Sequence, residues 1–382
     1  MKREKLDIIW NMSLVCPWDC AICCVDAYHV IRNGDSIILK SEGLNKIERY
    51  KVENGKSIYD QAARIFQSKG IELNLEQKLK VLENLQCETP VKINFSGGDP
   101  LVVSENFEVI KRASEIFGRN HIQVSTTGAG LSNYDPSELV SFINKLKFSY
   151  DGTNGKYYPK ENPNRPIGYN NSNLTNANRF GKAGVYTIAE IPLTIRNTNE
   201  SEISLIYENL NRAGIDEALL MRLFPVGRGF NRRLETPSPE QYIKTIDKFM
   251  GLGEKYGKPI VRLQCALKYL YSRDNSQNPC DLYRKSFAIT NNGLLIASAW
   301  AIGPTGRPLD DVWVFGNIAE KHIDDILNSE KARYYEKHLN DNFGHCKIFS
   351  FFNGKKETLL GRIFEKKDPI ALYTESNINI IV

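Results

Sequence analysis

Short apolar runs alternate with amphipathic stretches over roughly the first 230 residues of this chain of 382. Such alternation is typical of βα units, in which each strand of a parallel sheet is followed by a helix that covers it. The predicted strands are Leu6–Met12, Val91–Phe95, His121–Thr126, Lys145–Ser149, Tyr186–Leu193 and Ala218–Phe224. These units predict an α/β fold with a partial (β/α)6 barrel of the TIM type, because a closed barrel of that type needs eight.

Apolar residues at helical spacing between these strands support the barrel prediction. The clearest helices are predicted at Leu75–Asn84, Glu105–Phe117 and Glu202–Arg212. Two polar regions interrupt the pattern. Residues 25–72 are predicted to form an insertion after the first strand, and residues 152–178 a long loop after the fourth. Long loops at the carboxyl ends of barrel strands usually carry function.

The pattern changes after about residue 236, where a linker helix is predicted at Pro239–Tyr256. Two short apolar runs, Ser286–Thr290 and Leu294–Ser298, then flank Asn291-Asn292-Gly293, which is a strong hairpin signal. A further strand at Val312–Phe315 and a helix from about Ala319 to Leu339 complete a small α+β appendage, predicted to be distinct from the barrel.

Three regions follow from these patterns. The barrel is predicted to occupy residues 1–235, the linker helix and appendage residues 236–350, and a C-terminal tail residues 351–382. No fixed-period repeat and no low-complexity tract interrupts this order.

The charges of the chain indicate a solvated surface. The formal net charge is only +5, and Lys and Arg are interleaved with Asp and Glu, which is not typical of a nucleic-acid-binding face. The charged start lacks the apolar core of a signal peptide, and no apolar run approaches the roughly 20 residues that cross a bilayer. We therefore expect a cytoplasmic protein with no nucleic-acid or membrane partner, whose eight cysteines stay reduced.

The first motif with chemical meaning is Cys16-Pro-Trp-Asp-Cys20-Ala-Ile-Cys23, a CxxxCxxC directly after the first strand. Three thiolates on one short loop can bind three irons of a [4Fe–4S] cubane and leave the fourth iron open. A structural zinc site is the alternative, but it normally takes four protein ligands, and no histidine stands at finger spacing. The adjacent Cys24 is predicted to point elsewhere and not to bind metal.

The second motif is Ser96-Gly97-Gly98-Asp99-Pro100, at the end of the second strand. Glycines at this position allow a ligand to approach the backbone closely. A carboxylate beside them could accept hydrogen bonds from an ammonium group. Taken alone, however, the motif is an ordinary turn between a strand and a helix.

Together, a CxxxCxxC after the first strand and a GGDP turn after the second resemble the radical S-adenosylmethionine (radical SAM) superfamily. In that family three cysteines hold a [4Fe–4S] cluster, and SAM chelates the open iron through its amino and carboxyl groups. One electron then cleaves SAM to methionine and a 5′-deoxyadenosyl radical, which abstracts hydrogen from a substrate. The resemblance therefore implies that Cys16, Cys20 and Cys23 are cluster ligands and that SAM is a cofactor.

The same resemblance implies a set of SAM contacts. Gly97, Gly98 and Asp99 would meet the amino group, although the family more often has Glu in the last position. A polar residue at the end of the fourth strand, here Ser149, would meet the ribose, and Arg165 is the candidate partner of the SAM carboxylate. Glu190 and Arg222 are predicted to face the barrel interior, either as an internal ion pair or as further contacts with the ribose and the carboxylate.

The appendage resembles the SPASM/Twitch domains, which bind auxiliary [4Fe–4S] clusters. In these domains a cysteine, a glycine and a second cysteine follow at set spacing; here Cys280 and Gly293 are followed by Ser298 where the second cysteine is expected. Serine is a poor replacement for a soft thiolate on iron. The sequence thus favours an appendage that has lost its cluster, with a second cluster on Cys265, Cys280 and Cys346 as the alternative.

The resemblance implies an oxidoreductase that breaks an unactivated C–H bond and receives electrons from a reducing partner such as flavodoxin or ferredoxin. The appendage favours a ribosomally made peptide as substrate, with a sugar or another small metabolite as the alternative. A non-catalytic iron–sulfur redox sensor is the hypothesis from another class. It accounts for the cysteines but not for the GGDP turn.

Overall fold

The structure is a computed structural model that describes residues 4–153, 164–231, 236–271, 278–284, 286–353 and 358–378. Its strands are β1 (Leu6–Ser13), β2 (Val15–Cys16), β3 (Tyr28–Asn33), β4 (Ser36–Ser41), β5 (Lys46–Lys51), β6 (Val91–Gly97), β7 (Ile122–Thr126), β8 (Lys145–Ser149), β9 (Tyr186–Leu193), β10 (Glu217–Arg222), β11 (Ile260–Leu263), β12 (Ser286–Ile289), β13 (Leu294–Ile296) and β14 (Val314–Asn317).

The helices of the described residues are α1 (Ile58–Ser68), α2 (Leu75–Asn84), α3 (Ser104–Phe117), α4 (Pro136–Val140), α5 (Tyr169–Lys182), α6 (Glu200–Arg212), α7 (Pro239–Tyr256), α8 (Cys265–Tyr271), α9 (Ile323–Leu327), α10 (Glu330–His338), α11 (Lys347–Asn353), α12 (Leu359–Phe364) and α13 (Pro369–Ile378). Capping boxes begin α2 at Asn74 and α7 at Ser238. Among the described residues, no helix is long and apolar enough to span a membrane.

The main sheet has ten strands in the order β11-β10-β9-β8-β7-β6-β1-β12-β13-β14. Its six central strands, from β10 to β1, are the predicted strands and pair in parallel. The predicted α/β fold with a parallel, partial barrel is therefore confirmed. Their buried side chains form two apolar clusters, one around β1, β6 and β7 and one around β9 and β10, as expected for parallel strands that are buried by helices.

The predicted insertion forms a second, four-stranded sheet in the order β2-β3-β4-β5, followed by α1. The sheet starts at β2, which carries Cys16, and ends at β5, which has no further partner strand in the described part of the chain. One face packs on α1 through an apolar cluster that includes Val30, Leu39 and Phe66. The insertion is thus a structured unit attached to the first cysteine of the CxxxCxxC motif.

The predicted C-terminal appendage shares the main sheet with the barrel. The predicted hairpin exists as antiparallel β12 and β13, but β12 also pairs in parallel with β1 of the barrel. One apolar core therefore continues from barrel residues such as Trp10 and Phe95 to Trp313 and Tyr335 of the C-terminal region. A turn motif reports only local pairing, so the sequence contained no signal for the contact with β1.

Two predictions of secondary structure need correction. The region 152–178, predicted as a loop, contains the start of α5, because its asparagines bond to the backbone of neighbouring strand ends: the Asn173 amide donates to the Ser149 carbonyl at 2.7 Å. The predicted helix 319–339 is two helices, α9 and α10, separated by Asn328 and by Ser329, which caps the second. The predicted domain boundary at residue 235 lies outside the described residues.

Candidate active site

A cavity opens at the carboxyl ends of the barrel strands. Its walls come from the loop after β1 and from the strand ends Ser96–Gly98, Ser125–Thr127, Ser149, Glu190, Pro192 and Met221–Phe224. In parallel barrels this end of the strands is where active sites form.

Three of the cysteines that the motif selected lie on one wall of this cavity. Cys16 ends β2, and Cys20 and Cys23 follow on the loop; all three line the cavity, and so does Cys24. Among the described residues, no three His, Cys, Asp or Glu side chains converge closely enough to hold a single metal ion. A cubane does not require such convergence, because each cysteine binds a different iron. The donor set therefore fits a cubane better than zinc.

Burial disfavours the thiolate form of Cys16 and Cys20 on this wall by raising the pKa of each. Burial raises the pKa of Cys16 well above its usual value, and neighbouring thiols raise it further. Burial also raises the pKa of Cys20 to about 11, while the guanidinium of Arg165, hydrogen-bonded to that thiol, opposes the shift. Binding of iron must therefore displace protons, because the thiolate is the ligand.

The GGDP turn packs directly against the backbone that carries the cysteines. Gly97 has a φ of +126°, and a Cβ there would lie 2.2 Å from the Ser13 carbonyl oxygen. A Cβ on Gly98 would lie 2.2 Å from the carbonyl oxygen of Val15. The Gly98 amide also donates to the Ser13 carbonyl at 2.7 Å. Only glycines allow this approach, and both line the cavity.

Asp99 is the predicted site residue that the structure places outside the cavity wall. Its side chain is fully buried. The carboxylate accepts hydrogen bonds from the hydroxyls of Thr126 and Thr127 and from the amides of Leu101 and Gly130. These donors belong to the ends of β6 and β7, so the Asp99 side chain joins two barrel loops rather than facing the cavity.

Ser149 and Arg165 both line the cavity, and Tyr169 connects them. The Arg165 side chain is nearly buried, pairs with Asp151 at 2.9 Å, and lies with its guanidinium carbon 5.0 Å from the centre of the Tyr169 ring. Tyr169 in turn shares a hydrogen bond with Ser149. Trp18 of the cysteine loop packs edge-on against the same tyrosine, with ring centroids 5.3 Å apart. The strand ends and the cysteine loop are thereby held together.

Glu190 and Arg222 line the cavity, but Arg222 pairs elsewhere. Its Nη1 lies 2.5 Å from Asp368 of the C-terminal region, and both side chains are buried. Glu190 on β9 is the register partner of Ser149 on the neighbouring β8, and the Lys147 ammonium lies 3.9 Å from the Glu190 carboxylate. The hypothesis that Glu190 and Arg222 form an internal pair with each other is therefore replaced by two separate pairs.

An aromatic wall closes the cavity on the side of the C-terminal region. Phe224 and Trp300 both line the cavity and stack at 4.5 Å with an interplanar angle of 8°, and Phe349 packs on Phe224 at 5.0 Å. Sequence analysis missed Trp300, because that residue reaches the cavity only through the pairing of β12 with β1. The long-range strand pairing left no local signal in the sequence.

Arg228, just beyond β10, fixes the backbone of the cysteine loop. Its side chain is 1% exposed. Nη1 donates to the carbonyl of Cys20 at 2.6 Å, Nη2 donates to that of Ala27 at 2.8 Å, and the Arg228 amide donates to the carbonyl of Cys23 at 2.9 Å. The planar guanidinium thus holds both ends of the segment that bears two of the three cysteines.

Two carboxylates complete the environment of Arg228. Asp19 lies 2.7 Å from Nη1, and the fully buried Asp26 lies 3.0 Å from Nε. Asp26 also accepts from the amides of Gly43 in the insertion and Thr305 in the C-terminal region. This buried pair therefore joins the barrel, the cysteine loop, the insertion and the C-terminal region at one point.

Glu72 lies beside the strand end that leads into the cysteine loop. Its Oε1 accepts from the Leu14 amide at 2.5 Å and from the Ser13 hydroxyl at 3.2 Å. The second oxygen is buried with no hydrogen-bond partner among the described residues. Burial raises the pKa of this carboxyl to about 7.

Replacement of Glu72 by Gln is expected to reduce the pH dependence of stability. The folded-state pKa of about 7 lies above the ordinary 4.5, so the native state holds a proton that the unfolded chain releases between these values. The free energy of unfolding therefore falls as the pH rises through this window. Urea denaturation at about pH 5 and about pH 8 should show that the free energy of unfolding decreases less between these pH values in Glu72→Gln than in the wild type. An equal decrease in both proteins would contradict the raised pKa of Glu72.

The C-terminal region brings a second group of cysteines together. Cys265 begins α8, Cys280 precedes β12, and Cys346 precedes α11. Burial raises the pKa of Cys265 well above its usual value, and the thiols of Cys280 and Cys346 raise it further, so the three lie within electrostatic reach. Burial also raises the pKa of Cys280, while the buried ammonium of Lys347 opposes this shift. The spacing of these cysteines in the sequence did not require this convergence.

No protein-family model matches the sequence, and comparison with curated proteins also gives no match. Solved structures do match. The native structure of anSMEcpe with bound AdoMet has a TM-score of 0.59 and 12% sequence identity, covering 97% of this chain and 95% of that one. A further anSMEcpe structure, with AdoMet and the Cp18Cys peptide, has a TM-score of 0.53 and 13% identity, covering 99% and 100%.

SuiB from Streptococcus suis is the second similar protein. Its structure bound to S-adenosylmethionine has a TM-score of 0.62 and 12% identity, covering 97% of this chain and 77% of that one. Its structure bound to the precursor peptide SuiA has a TM-score of 0.60 at the same identity, covering 97% and 76%. The predicted fold is therefore confirmed, and the likeness extends over the C-terminal region.

Proposed function

We propose that this chain is a radical SAM enzyme that holds a [4Fe–4S] cluster through Cys16, Cys20 and Cys23. The observation that carries the proposal is the position of all three cysteines on the wall of the cavity at the strand ends. A structural metal site needs no cavity beside it and normally takes four protein ligands. Three ligands beside an open cavity suit a cluster that shares its fourth iron with a bound molecule.

Cys16, Cys20 and Cys23 would hold the cluster, which when bound would supply the electron for cleavage of SAM and so for hydrogen abstraction from a substrate. The chain binds and orients SAM and keeps water out. We assign the SAM amino group to the exposed backbone of the Gly97-Gly98 turn and the SAM carboxylate to the guanidinium of Arg165. The ribose hydroxyls are assigned to Ser149 and Glu190, which are neighbours across β8 and β9.

Asp99 has a different role in this proposal from the one that the sequence resemblance implies. Its carboxylate is already bonded to donors from the ends of β6 and β7. We therefore propose that Asp99 positions the glycine turn beneath SAM and does not contact the amino group itself. Its contribution to SAM binding would be indirect.

A peptide is the substrate that we propose, with oxidation at a C–H bond as the reaction. Structures of both similar proteins contain peptides, and both cover nearly the whole of this chain. The stacked Phe224 and Trp300 offer an apolar surface for a side chain beside the proposed SAM site. A small metabolite is the alternative substrate class. A redox sensor is less well supported, because sensing alone needs no cavity beside the cysteines and no glycine turn on its wall.

Anaerobic incubation with SAM and dithionite tests the proposed function. Formation of 5′-deoxyadenosine is the expected result. An intact cluster without cleavage of SAM would favour the sensor, and zinc without iron would contradict both hypotheses.

We further propose that Cys265, Cys280 and Cys346 hold a second iron–sulfur cluster. The three cysteines come from separate segments of the C-terminal region and lie within electrostatic reach of one another, and the buried cation of Lys347 lies within reach of Cys280. That positive charge offsets part of the negative charge of cysteine thiolates on iron. This grouping of three cysteines with a nearby cation supports a second cluster, whereas the serine at position 298 favours an appendage without one.

Iron analysis of the reconstituted chain tests the second cluster. We expect about eight irons per chain, and about four in a variant in which Cys265 and Cys280 are both replaced by alanine. Cys87→Ala is the matched control, because this half-buried thiol lies outside both groups and bonds to the Thr89 carbonyl. About four irons in the wild type would contradict the second cluster and leave the first one in place.

A further inference from the structure

The four-stranded sheet of the insertion has one face that α1 does not cover. Alternate residues of its strands point to this side, as the strand register requires. We call it the outer face, and it consists of His29, Ile31, Ile38, Lys40, Ile47, Arg49 and Lys51. The opposite face, with Val30 and Leu39, packs in the apolar cluster on α1.

The outer face is continuous with the cysteine wall. Cys16 lies opposite His29 in β3, His29 opposite Lys40 in β4, and Lys40 opposite Ile47 in β5. Three strand spacings separate the first residue of this row from the last, a distance of about 14 Å. Asp19 of the cysteine loop lies over the part of the outer face that is closest to Cys16, with Lys40 at 2.8 Å and His29 at 3.7 Å.

The part of the outer face that lies farthest from Cys16 combines apolar surface with positive charge. Ile31 is 38% exposed and Ile47 is 61% exposed, although both are large aliphatic side chains. Arg49 and Lys51 are exposed beside them, and neither forms an ion pair with another described residue. A small apolar patch with a cationic rim is typical of a surface that binds an acidic protein briefly.

We propose that the outer face docks an acidic one-electron carrier protein that reduces the cluster held by Cys16, Cys20 and Cys23. The inference rests on the proposed function, because that chemistry consumes one electron for each cleavage of SAM. A flavin hydroquinone in the carrier would lose one electron to become a semiquinone, and the cluster would gain that electron, with no bond to iron made or broken. The cavity side of the cysteines is reserved for SAM and substrate, so the carrier must approach from another side.

An extended peptide along the edge of β5 is a less suitable occupant. That edge strand carries the charged side chains of Lys46, Arg49 and Lys51, which discourage the addition of another strand. The exposed isoleucines lie on the face of the sheet and not along its edge. Weak redox complexes also need little area, below about 1,200 Å², which a face of three short strands can supply.

The rate at which reduced flavodoxin reduces the cluster of the reconstituted full chain tests this proposal. Flavodoxin serves as the acidic carrier, and the loss of the cluster's visible absorbance is followed at low salt. In a variant with both Arg49→Glu and Lys51→Glu, we expect the second-order rate constant to fall about tenfold, with a weaker dependence on salt. Reduction by dithionite should be unchanged. Ile47→Asp should slow only the flavodoxin reaction as well.

The matched control reverses two exposed charges on α7, with Lys244→Glu and Lys255→Glu, and should leave both rates unchanged. An unchanged flavodoxin rate in the Arg49 and Lys51 variant would overturn the proposal and leave the face to another occupant, such as a peptide. Equal slowing with dithionite would also overturn it, since that indicates damage to the cluster. Reduction requires no SAM, so a chain that is reduced normally but cleaves no SAM contradicts only the proposed function.

Discussion

Replacement of Cys20 by alanine is expected to remove the cluster of the barrel and to reduce formation of 5′-deoxyadenosine to background. Cys20 lies centrally on the cysteine wall, between Cys16 and Cys23, and is nearly buried. Its loss leaves two protein ligands where three are needed, and also removes the hydrogen-bond partner of Arg165. Iron content, the EPR signal of the reduced protein with SAM, and 5′-deoxyadenosine should all report the loss.

Cys24→Ala provides the matched control for this variant. Cys24 follows Cys23 directly and lines the same cavity, but it stands outside the CxxxCxxC spacing. We expect Cys24→Ala to retain the iron and the SAM-dependent EPR signal. If Cys24→Ala loses the cluster and Cys20→Ala keeps it, the assignment of the three ligands is wrong.

Arg228→Ala is expected to destabilise the folded chain by about 3–5 kcal/mol, because it leaves a buried charge without its partner. Asp26 is fully buried and loses the guanidinium at 3.0 Å. The carbonyls of Cys20 and Ala27 lose their donors as well. The cysteine loop should therefore become mobile, and iron binding should weaken together with stability.

Urea denaturation of the iron-free chain and iron content after reconstitution measure these two effects separately. Arg112→Ala is the control, because Arg112 forms an exposed pair with Glu115 on α3, and such pairs contribute about 0–1 kcal/mol. Arg228→Lys keeps the charge but loses the planar guanidinium, so its loss of stability should lie between those of Arg228→Ala and Arg112→Ala. A change below about 1 kcal/mol for Arg228→Ala would contradict the proposed role of this buried pair.

The six central strands could be predicted from the sequence because each carries a local signal. Apolar runs of strand length, separated by helices with apolar residues at helical spacing, placed these strands with small errors at their ends. The cysteines could be selected in the same way, since their spacing and their position after the first strand are both local. Their common position on the cavity wall follows from the barrel, in which the strand ends meet.

Other features depended on contacts between distant parts of the chain. The parallel pairing of β12 with β1 places Trp300 at the cavity, and neither strand carries a local sequence signal for this pairing. Arg228 stands more than 200 residues after the loop that it holds. Asp99 was assigned to the cavity from the motif alone, but the donors of β7 that surround its carboxylate are visible only in the folded chain.

The asparagines of α5 illustrate how tertiary contacts override local preference. Asparagine is a poor helix former, so the segment before residue 178 was predicted as a loop. In the structure Asn173 and Asn176 donate to the carbonyls of Ser149 and Gly128 at the ends of barrel strands. These hydrogen bonds need the helical arrangement, and they place α5 against the candidate active site.

We expect the cluster held by three cysteines to leave one iron for SAM. Pulsed EPR of the reduced protein tests for this open iron, with SAM labelled isotopically on the amino nitrogen and the carboxyl oxygens. Both labels should show hyperfine coupling to the cluster, and Cys20→Ala should lose this coupling. A cluster signal that SAM leaves unchanged, with no coupling to either label, would contradict this expectation.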